Sequence, residues 1–91
     1  MKKLESAIKA LLENLGIAQK ILENQVLYEW PSIVGKRIGE VTKAEKIEGK
    51  TLFIKVTHST WRNELLFHKK DIIKKINKRI GKEIVTEIRM Y

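Results

Sequence analysis

The sequence predicts one α+β domain over residues 1–91, with a three-stranded sheet covered by helices on one face. Apolar residues recur at helical spacing in the first third of the chain and again from about residue 61 to residue 80. Between these segments, two runs of alternating apolar and polar residues flank a glycine-containing turn, and a third such run closes the chain. A chain of 91 residues can form one hydrophobic core and has no room for a second domain.

Two helices are predicted at the start of the chain. The first runs from about Lys3 to Leu15, where leucine and isoleucine recur at helical spacing, and Gly16 is a residue type that often ends a helix. The second begins at Ile17 and should end or kink near Trp30. The reason is Pro31, which lacks an amide donor and disfavours helical angles in the residue before it.

A short helix and a β-hairpin should follow. Pro31 suits the first turn of a short helix that reaches about Ile38. Thr42–Glu48 is predicted to form an edge strand, and Leu52–Val56 alternates as a half-buried strand does. Residues 48–51 contain Gly-Lys and are predicted to form the turn between them.

A long helix and a last strand complete the predicted fold. Ser59 or Thr60 would cap the helix, and Gly81 would end it. Apolar and polar residues then alternate from Ile84 to Tyr91, as expected for a half-buried strand. The predicted buried line of the long helix consists of Trp61, Leu65, Ile72 and Ile76.

Composition narrows the class of protein. The chain has no cysteine, which excludes disulfides and thiolate metal sites. Its apolar runs are far shorter than the roughly 20 residues that span a bilayer, and residues 1–3 lead into an amphipathic segment, so we expect a cytoplasmic protein. The net charge of +8 favours a polyanionic partner. In the alternative interpretation, the charge only keeps the protein in solution.

The long helix is the most basic segment. One stripe opposite its buried line, which we call the basic ridge, holds Asn63, Phe67, Lys70, Lys74 and Lys78. Lysines here can neutralise phosphates, and a phenylalanine can stack on an exposed base. The alternative is that the phenylalanine packs beneath an N-terminal helix and the lysines are only solvated. The predicted nucleic-acid-binding residues are Arg62, Phe67, Lys69, Lys70, Lys74, Lys75 and Lys78.

The two tryptophans lie where predicted elements meet, and they are candidate contacts for a protein partner. Trp61 is on the buried line, so it either anchors the helix to the sheet or is partly exposed and meets a partner together with Arg62. Trp30 has the same two interpretations, and Pro31 beside it favours a role in fixing the helix junction. The predicted partner-binding residues are Trp61, Arg62 and Trp30.

The sequence contains no pattern typical of catalysis or metal binding. Gly49-Lys50-Thr51 lacks the earlier glycine and the following helix that a phosphate-binding loop requires. His58 and His68 have no carboxylates that would complete a metal site, and no nucleophile with an adjacent base is visible. We therefore expect no cofactor, no small-molecule substrate and no enzymatic activity.

Several segments in a fixed order resemble one known family. They are Trp30-Pro31-Ser32-Ile33-Val34-Gly35, then 49–56, then Ser59-Thr60-Trp61-Arg62-Asn63-Glu64-Leu65, then 76–81 and 84–89. From about Leu11 to Tyr91, the chain resembles the DciA family of bacterial replicative-helicase loaders or operators, regarded as antecedents of the DnaC and DnaI loaders.

The resemblance implies a KH-like domain without ATPase activity that contacts a DnaB-type replicative helicase and single-stranded DNA, promotes helicase loading and works at the nucleoid. Trp61 matches the tryptophan that marks the family. Many relatives carry a disordered basic extension, whereas this sequence ends at Tyr91, so DNA binding through such a tail is not carried over. Two other functions stay open: a stand-alone KH-like module that binds RNA or DNA, and an interaction protein whose charge serves solubility.

Overall fold

The computed structural model describes residues 2–14 and 16–91. The predicted α+β class and three-stranded sheet are confirmed. The predicted end of the first helix at Leu15 lies outside the described residues. In chain order the elements are α1 (Lys2–Asn14), α2 (Ile17–Val34), α3 (Lys36–Val41), β1 (Thr42–Glu48), β2 (Thr51–Val56), α4 (Ser59–Ile80) and β3 (Glu87–Met90).

The strands form one sheet in the order β1-β2-β3. β1 and β2 are an antiparallel hairpin, as predicted, while β2 and β3 are parallel and are connected through α4. The hairpin turn has positive φ at both central residues, 52° at Gly49 and 66° at Lys50, as in type I′ turns. The Lys50 carbonyl accepts bonds from the N–H groups of Thr86 (2.8 Å) and Glu87 (3.3 Å), so the turn also positions the start of β3.

Helices pack on one face of the sheet and bury it. α2 and α3 contact β1, and α4 contacts β2 and β3. Three members of the predicted line of α4 are buried, and the fourth, Trp61, is partly buried against them. The core consists of Val26, Trp30, Ile33, Ile47, Leu52, Ile54, Val56, Leu65, Ile72, Ile76, Ile84, Val85 and Ile88.

The second helix was predicted to end or kink near Trp30; the end there is wrong, because α2 continues through Pro31 to Val34, and the kink stays a prediction. A proline this close to the C-terminal end of a helix removes a single backbone hydrogen bond, and the helix ends one turn later. Gly35, the residue after the last helical residue, terminates α2. It has φ 91° and donates its N–H to the Pro31 carbonyl at 2.9 Å. α3 then folds back closely, since a Cβ atom on Gly39 would lie only 3.2 Å from the Pro31 Cβ.

The two ends of α4 differ in how well they were predicted. The residue before its first turn is His58, in an extended conformation, so the predicted caps Ser59 and Thr60 already lie inside the helix. The C-terminal end is as predicted. Gly81 adopts φ 83° and donates its N–H to the Asn77 carbonyl at 2.8 Å.

β3 is shorter than the predicted strand, which was expected to begin at Ile84. Ile84 and Val85 are fully buried, but their backbone groups form hydrogen bonds with the side chain of Asn77 on α4. The Asn77 Oδ1 atom accepts bonds from both N–H groups at 3.0 Å, and its Nδ2 atom donates to the Val85 carbonyl at 2.8 Å. This segment is therefore tied to α4, and strand pairing starts only at Glu87.

Candidate nucleic-acid and partner interface

The basic ridge is exposed along its whole length. Phe67 is 86% exposed, so the alternative in which it packs beneath an N-terminal helix is wrong. Among the side chains that the structure describes, the ridge lysines Lys70, Lys74 and Lys78 form no ion pair. The ridge therefore presents an aromatic ring and three ammonium groups to solvent.

A groove runs beside the ridge, between α4 and the α2–α3 pair. Its two adjoining parts have volumes of about 440 and 470 Å³. Arg79 lines it as well, and its guanidinium forms an ion pair with Glu29 of α2 at 3.2 Å. The α2 and α3 side of the groove is apolar, with Ile33, Val34 and Ile38. The α4 side is mainly basic, with Lys74, Lys75 and Lys78, and also holds His68 and one carboxylate, Asp71. Lys75 is thereby brought together with two ridge lysines.

Arg62 and Lys69, the other predicted nucleic-acid residues, lie on a different side of α4, next to β3. A cleft of about 330 Å³ separates the two elements there, and we call it the β3 cleft. It is lined by Arg62, Leu66, Lys69, Arg89 and Met90. The structure therefore divides the seven predicted residues between the ridge with its groove and the β3 cleft.

Lys69 is further distinguished by its carboxylate partner. Its Nζ atom lies 3.3 Å from Oε1 of Glu87. The Ile88 N–H, which donates to this carboxylate at 2.7 Å, and the Lys69 ammonium together lower the pKa of Glu87. Because Glu87 is held in its charged form, Lys69 is less available to a phosphate than the ridge lysines are.

Trp61 is partly exposed at the start of α4, which excludes the fully buried interpretation. The guanidinium carbon of Arg37 is 5.7 Å from the centroid of a Trp61 ring, within the range of cation–π attraction. Sequence analysis missed Arg37, because only the fold of α3 brings it here. A pocket of about 290 Å³, the Trp61 pocket, is lined by Arg37, Thr60, Trp61 and Glu64. Arg62 lines the β3 cleft instead.

Trp30 is not available to a partner, and its predicted partner contact is therefore wrong for the folded domain. The side chain is 2% exposed. Its Nε1 atom donates to the Thr42 hydroxyl at 2.9 Å, and that hydroxyl donates to the Ile38 carbonyl at 2.6 Å. The residue joins α2, α3 and β1, which is the structural role considered for it from the sequence.

The histidines form no larger cluster. The His68 Nε2 atom is 3.5 Å from Oε1 of Glu64, and the His58 Nδ1 atom is 2.9 Å from the Thr57 hydroxyl. In the described part of the chain, no three His, Asp or Glu side chains come together as a metal site would require. No helix in the described ranges is long and apolar enough to span a bilayer.

The chain is similar to known proteins over almost its whole length. The family model described as "Dna[CI] antecedent, DciA" matches residues 3–90. A curated relative, a UPF0232 protein from Corynebacterium glutamicum (strain R), is 28% identical over 88 residues. That match covers 97% of this chain and 49% of the relative, so the chain spans about half the length of the curated relative it matches. Because the family model covers nearly every residue, the chain belongs to the DciA family.

Proposed function

We propose that this chain is a non-enzymatic adaptor in bacterial DNA replication that binds a DnaB-type replicative helicase and single-stranded DNA and promotes helicase loading. The observation that carries the proposal is the family match over residues 3–90. The adaptor would act in the cytoplasm at the nucleoid. An adaptor needs separate surfaces for its two partners, and the ridge and the Trp61 pocket are suited to these two tasks.

The ridge is suited to a phosphate backbone. Its lysines are spaced four residues apart, so their Cα atoms follow one another at intervals of about 6 Å along the helix axis. Regularly spaced cations that lack a described carboxylate partner can follow a flexible, charged strand without reading its sequence. Phe67 adds a ring on which any base can stack. Binding through this surface should be weak, tolerant of sequence and sensitive to salt.

The Trp61 pocket is suited to a protein partner. Tryptophan and arginine are the residue types most often found at interaction hot spots. Arg37 already lies close to the indole ring, so the two side chains form a partly ordered surface before any partner arrives. A preorganised surface loses less side-chain entropy on binding. We therefore assign helicase contact to this pocket.

Trp61→Ala is expected to weaken helicase binding by roughly 30-fold or more, as the loss of a hot spot of about 2 kcal/mol would. The measurement is the affinity of the purified chain for the replicative helicase of the same organism, with light scattering on the isolated complex. Tyr28→Ala is the matched control, because Tyr28 is an aromatic residue that is 86% exposed on another helix. A folded Trp61→Ala variant that binds like wild type would exclude the pocket as the contact.

Charge reversal of Lys70, Lys74 and Lys78 to glutamate is expected to remove most of the affinity for single-stranded DNA. About four phosphate contacts at the ridge and its groove would by themselves make log affinity fall against log salt with a slope of about −3. Fluorescence anisotropy of a labelled oligothymidylate across a salt series measures both quantities. A slope near zero for the native chain would contradict the proposal.

A second triple variant controls for net charge. Lys3, Lys9 and Lys20 are exposed on α1 and α2, away from α4 in sequence. Changing three lysines to glutamate lowers the net charge of +8 by 6 units, to +2, in either variant. Equal losses of affinity in both variants would mean that overall charge, and not the ridge, determines binding.

One observation favours a second candidate function, a stand-alone KH-like module that binds RNA or DNA without a helicase. Phe67 is 86% exposed beside the ridge lysines, a position suited to stacking on an unpaired base. Nucleic-acid binding that depends on base sequence, together with no helicase complex at micromolar concentrations, would support this module over the adaptor.

A further inference from the structure

The sheet face that points away from the helices carries an aromatic ring among cations. Alternate residues of β2 point into the core, and Phe53 lies between two of them, on the other face. The strand register places Lys46 of β1 and Arg89 of β3 on either side of it. We call this surface the open sheet face, and it consists of Lys43, Lys46, Phe53, Lys55 and Arg89.

The cations of the open sheet face are exposed, whereas Phe53 is half-buried. The Lys46 ammonium lies 5.1 Å from the centroid of the Phe53 ring and 3.3 Å from Oε1 of Glu48. The cation–π attraction between a lysine ammonium and an aromatic ring contributes roughly 0.5–1 kcal/mol at exposed sites. A base that stacks on the ring can therefore displace the ammonium group. Because Lys46 is also paired with Glu48, it is less available to a phosphate than the other cations of this face.

We infer that the open sheet face is a second contact surface for single-stranded DNA, on which Phe53 stacks on a base and the four cations around it hold phosphates. A flat face with a central ring and several ammonium or guanidinium groups is complementary to a flexible polyanion with exposed bases. This inference rests on the proposed function, because it assumes that the chain binds a single strand.

Charges at one end of the sheet indicate where single-stranded DNA would cross the sheet. Glu48 and Glu87 flank Thr51 in the row of residues next to the Phe53 row, and their carboxylates would repel phosphates. The favoured path of the DNA therefore crosses the three β-strands along the row from Lys46 through Phe53 to Arg89. Lys43 and Lys55 lie on the other side of this row from the glutamates and can hold phosphates there. Neighbouring strands are about 4.8 Å apart, so this row extends over roughly 10 Å.

The path continues beyond the sheet. Arg89 also lines the β3 cleft, where it meets Arg62 and Lys69 of α4. The cleft thus connects the open sheet face to α4, whose exposed side is the basic ridge. A single DNA strand that rounds the edge at β3 can contact both surfaces through Arg89 and Arg62, while Lys69 stays paired with Glu87.

Two variants of the full chain test the inference by binding to a labelled oligothymidylate. Phe53→Leu keeps an apolar side chain and removes the ring, and it is expected to weaken binding about 5-fold or more, whereas Phe53→Tyr should bind like wild type. Lys43→Glu with Lys55→Glu should make the salt slope shallower by about 1.4, since each lost phosphate contact on a single strand contributes about 0.7. Lys3→Glu with Lys9→Glu is the control of equal charge, and thermal melting verifies folding.

The possible outcomes separate the inference from the proposed function. If the sheet variants bind DNA like their controls while the ridge variant is weakened, the inference is overturned and the adaptor proposal stands. If the native chain binds no single strand, the DNA-binding part of the adaptor proposal fails as well. If the sheet variants lose affinity for the helicase and keep affinity for DNA, the face is a protein-binding surface and the inference is overturned.

Discussion

Replacing Trp30 by alanine is expected to lower the free energy of unfolding by about 3–5 kcal/mol. The indole is 2% exposed, so truncation removes most of its packing and leaves a cavity in the core, where Trp30 lies with residues of α4, β2 and β3. It also removes the Nε1–H donor to the hydroxyl of Thr42, a residue that is 7% exposed. For a domain of this size, 1 kcal/mol corresponds to roughly 4–8 °C in Tm, so Tm should fall by at least about 12 °C.

Urea denaturation of Trp30→Ala and Trp61→Ala, compared with wild type, measures this difference. Trp61→Ala should lower the free energy of unfolding clearly less than Trp30→Ala does. The Trp61 side chain is partly exposed, so its truncation removes mainly one face of packing and the Arg37 contact. Trp30→Phe isolates the hydrogen bond, since it keeps an aromatic ring in the core. Equal destabilisation by the two alanine variants would contradict the division of the tryptophans into one structural and one surface residue.

The same pair of residues shows where prediction from sequence reached its limit. Both tryptophans occupy apolar positions at element boundaries, and both were assigned the same two interpretations. Burial depends on what packs around each ring. Trp30 lies among core residues of α4, β2 and β3 and bonds to Thr42 of β1, whereas Trp61 at the start of α4 is partly exposed beside the Arg37 side chain. The apolar pattern of each segment is consistent with a side chain that faces the core. It cannot show which other helices or strands pack against that side chain in the folded domain.

Element types were predictable because they depend on local patterns, and several boundaries were not. The alternation of β2 and the glycine at the end of α4 act within a few residues, and both predictions are confirmed. The proline rule placed the end of α2 too early, because a rule for adjacent residues does not weigh the packing of α3 on Pro31. The open sheet face was also missed, since Phe53 and Arg89 become neighbours only through strand pairing.

Asn77→Ala is expected to destabilise the domain by roughly 2–4 kcal/mol, because the N–H and carbonyl groups of Val85 would lose their partner while their surroundings stay buried. The Ile84 N–H would lose one of its two acceptors and keep the Lys82 carbonyl at 2.8 Å. Asn77 lies on α4, and its side chain bonds to both N–H groups and one carbonyl of Ile84 and Val85. Both of these residues are 0% exposed, so water can replace the lost bonds only if the segment opens. Amide hydrogen exchange should therefore quicken first at residues 84 and 85, before global unfolding.

Lys78→Ala is the matched control for the unfolding measurements, since it alters an exposed neighbour on the same helix and leaves these bonds intact. Because Lys78 belongs to the ridge, DNA binding of Asn77→Ala is compared with wild type. Asn77→Asp keeps the acceptor for the two N–H groups and loses the donor to the Val85 carbonyl. Its free energy of unfolding should therefore lie between those of wild type and Asn77→Ala. If the free energy of unfolding of Asn77→Ala stays within about 0.5 kcal/mol of the control, the side chain does not hold this segment. Because the segment leads directly into β3, loosening it should also displace Arg89, and a still folded Asn77→Ala variant should then bind single-stranded DNA less tightly.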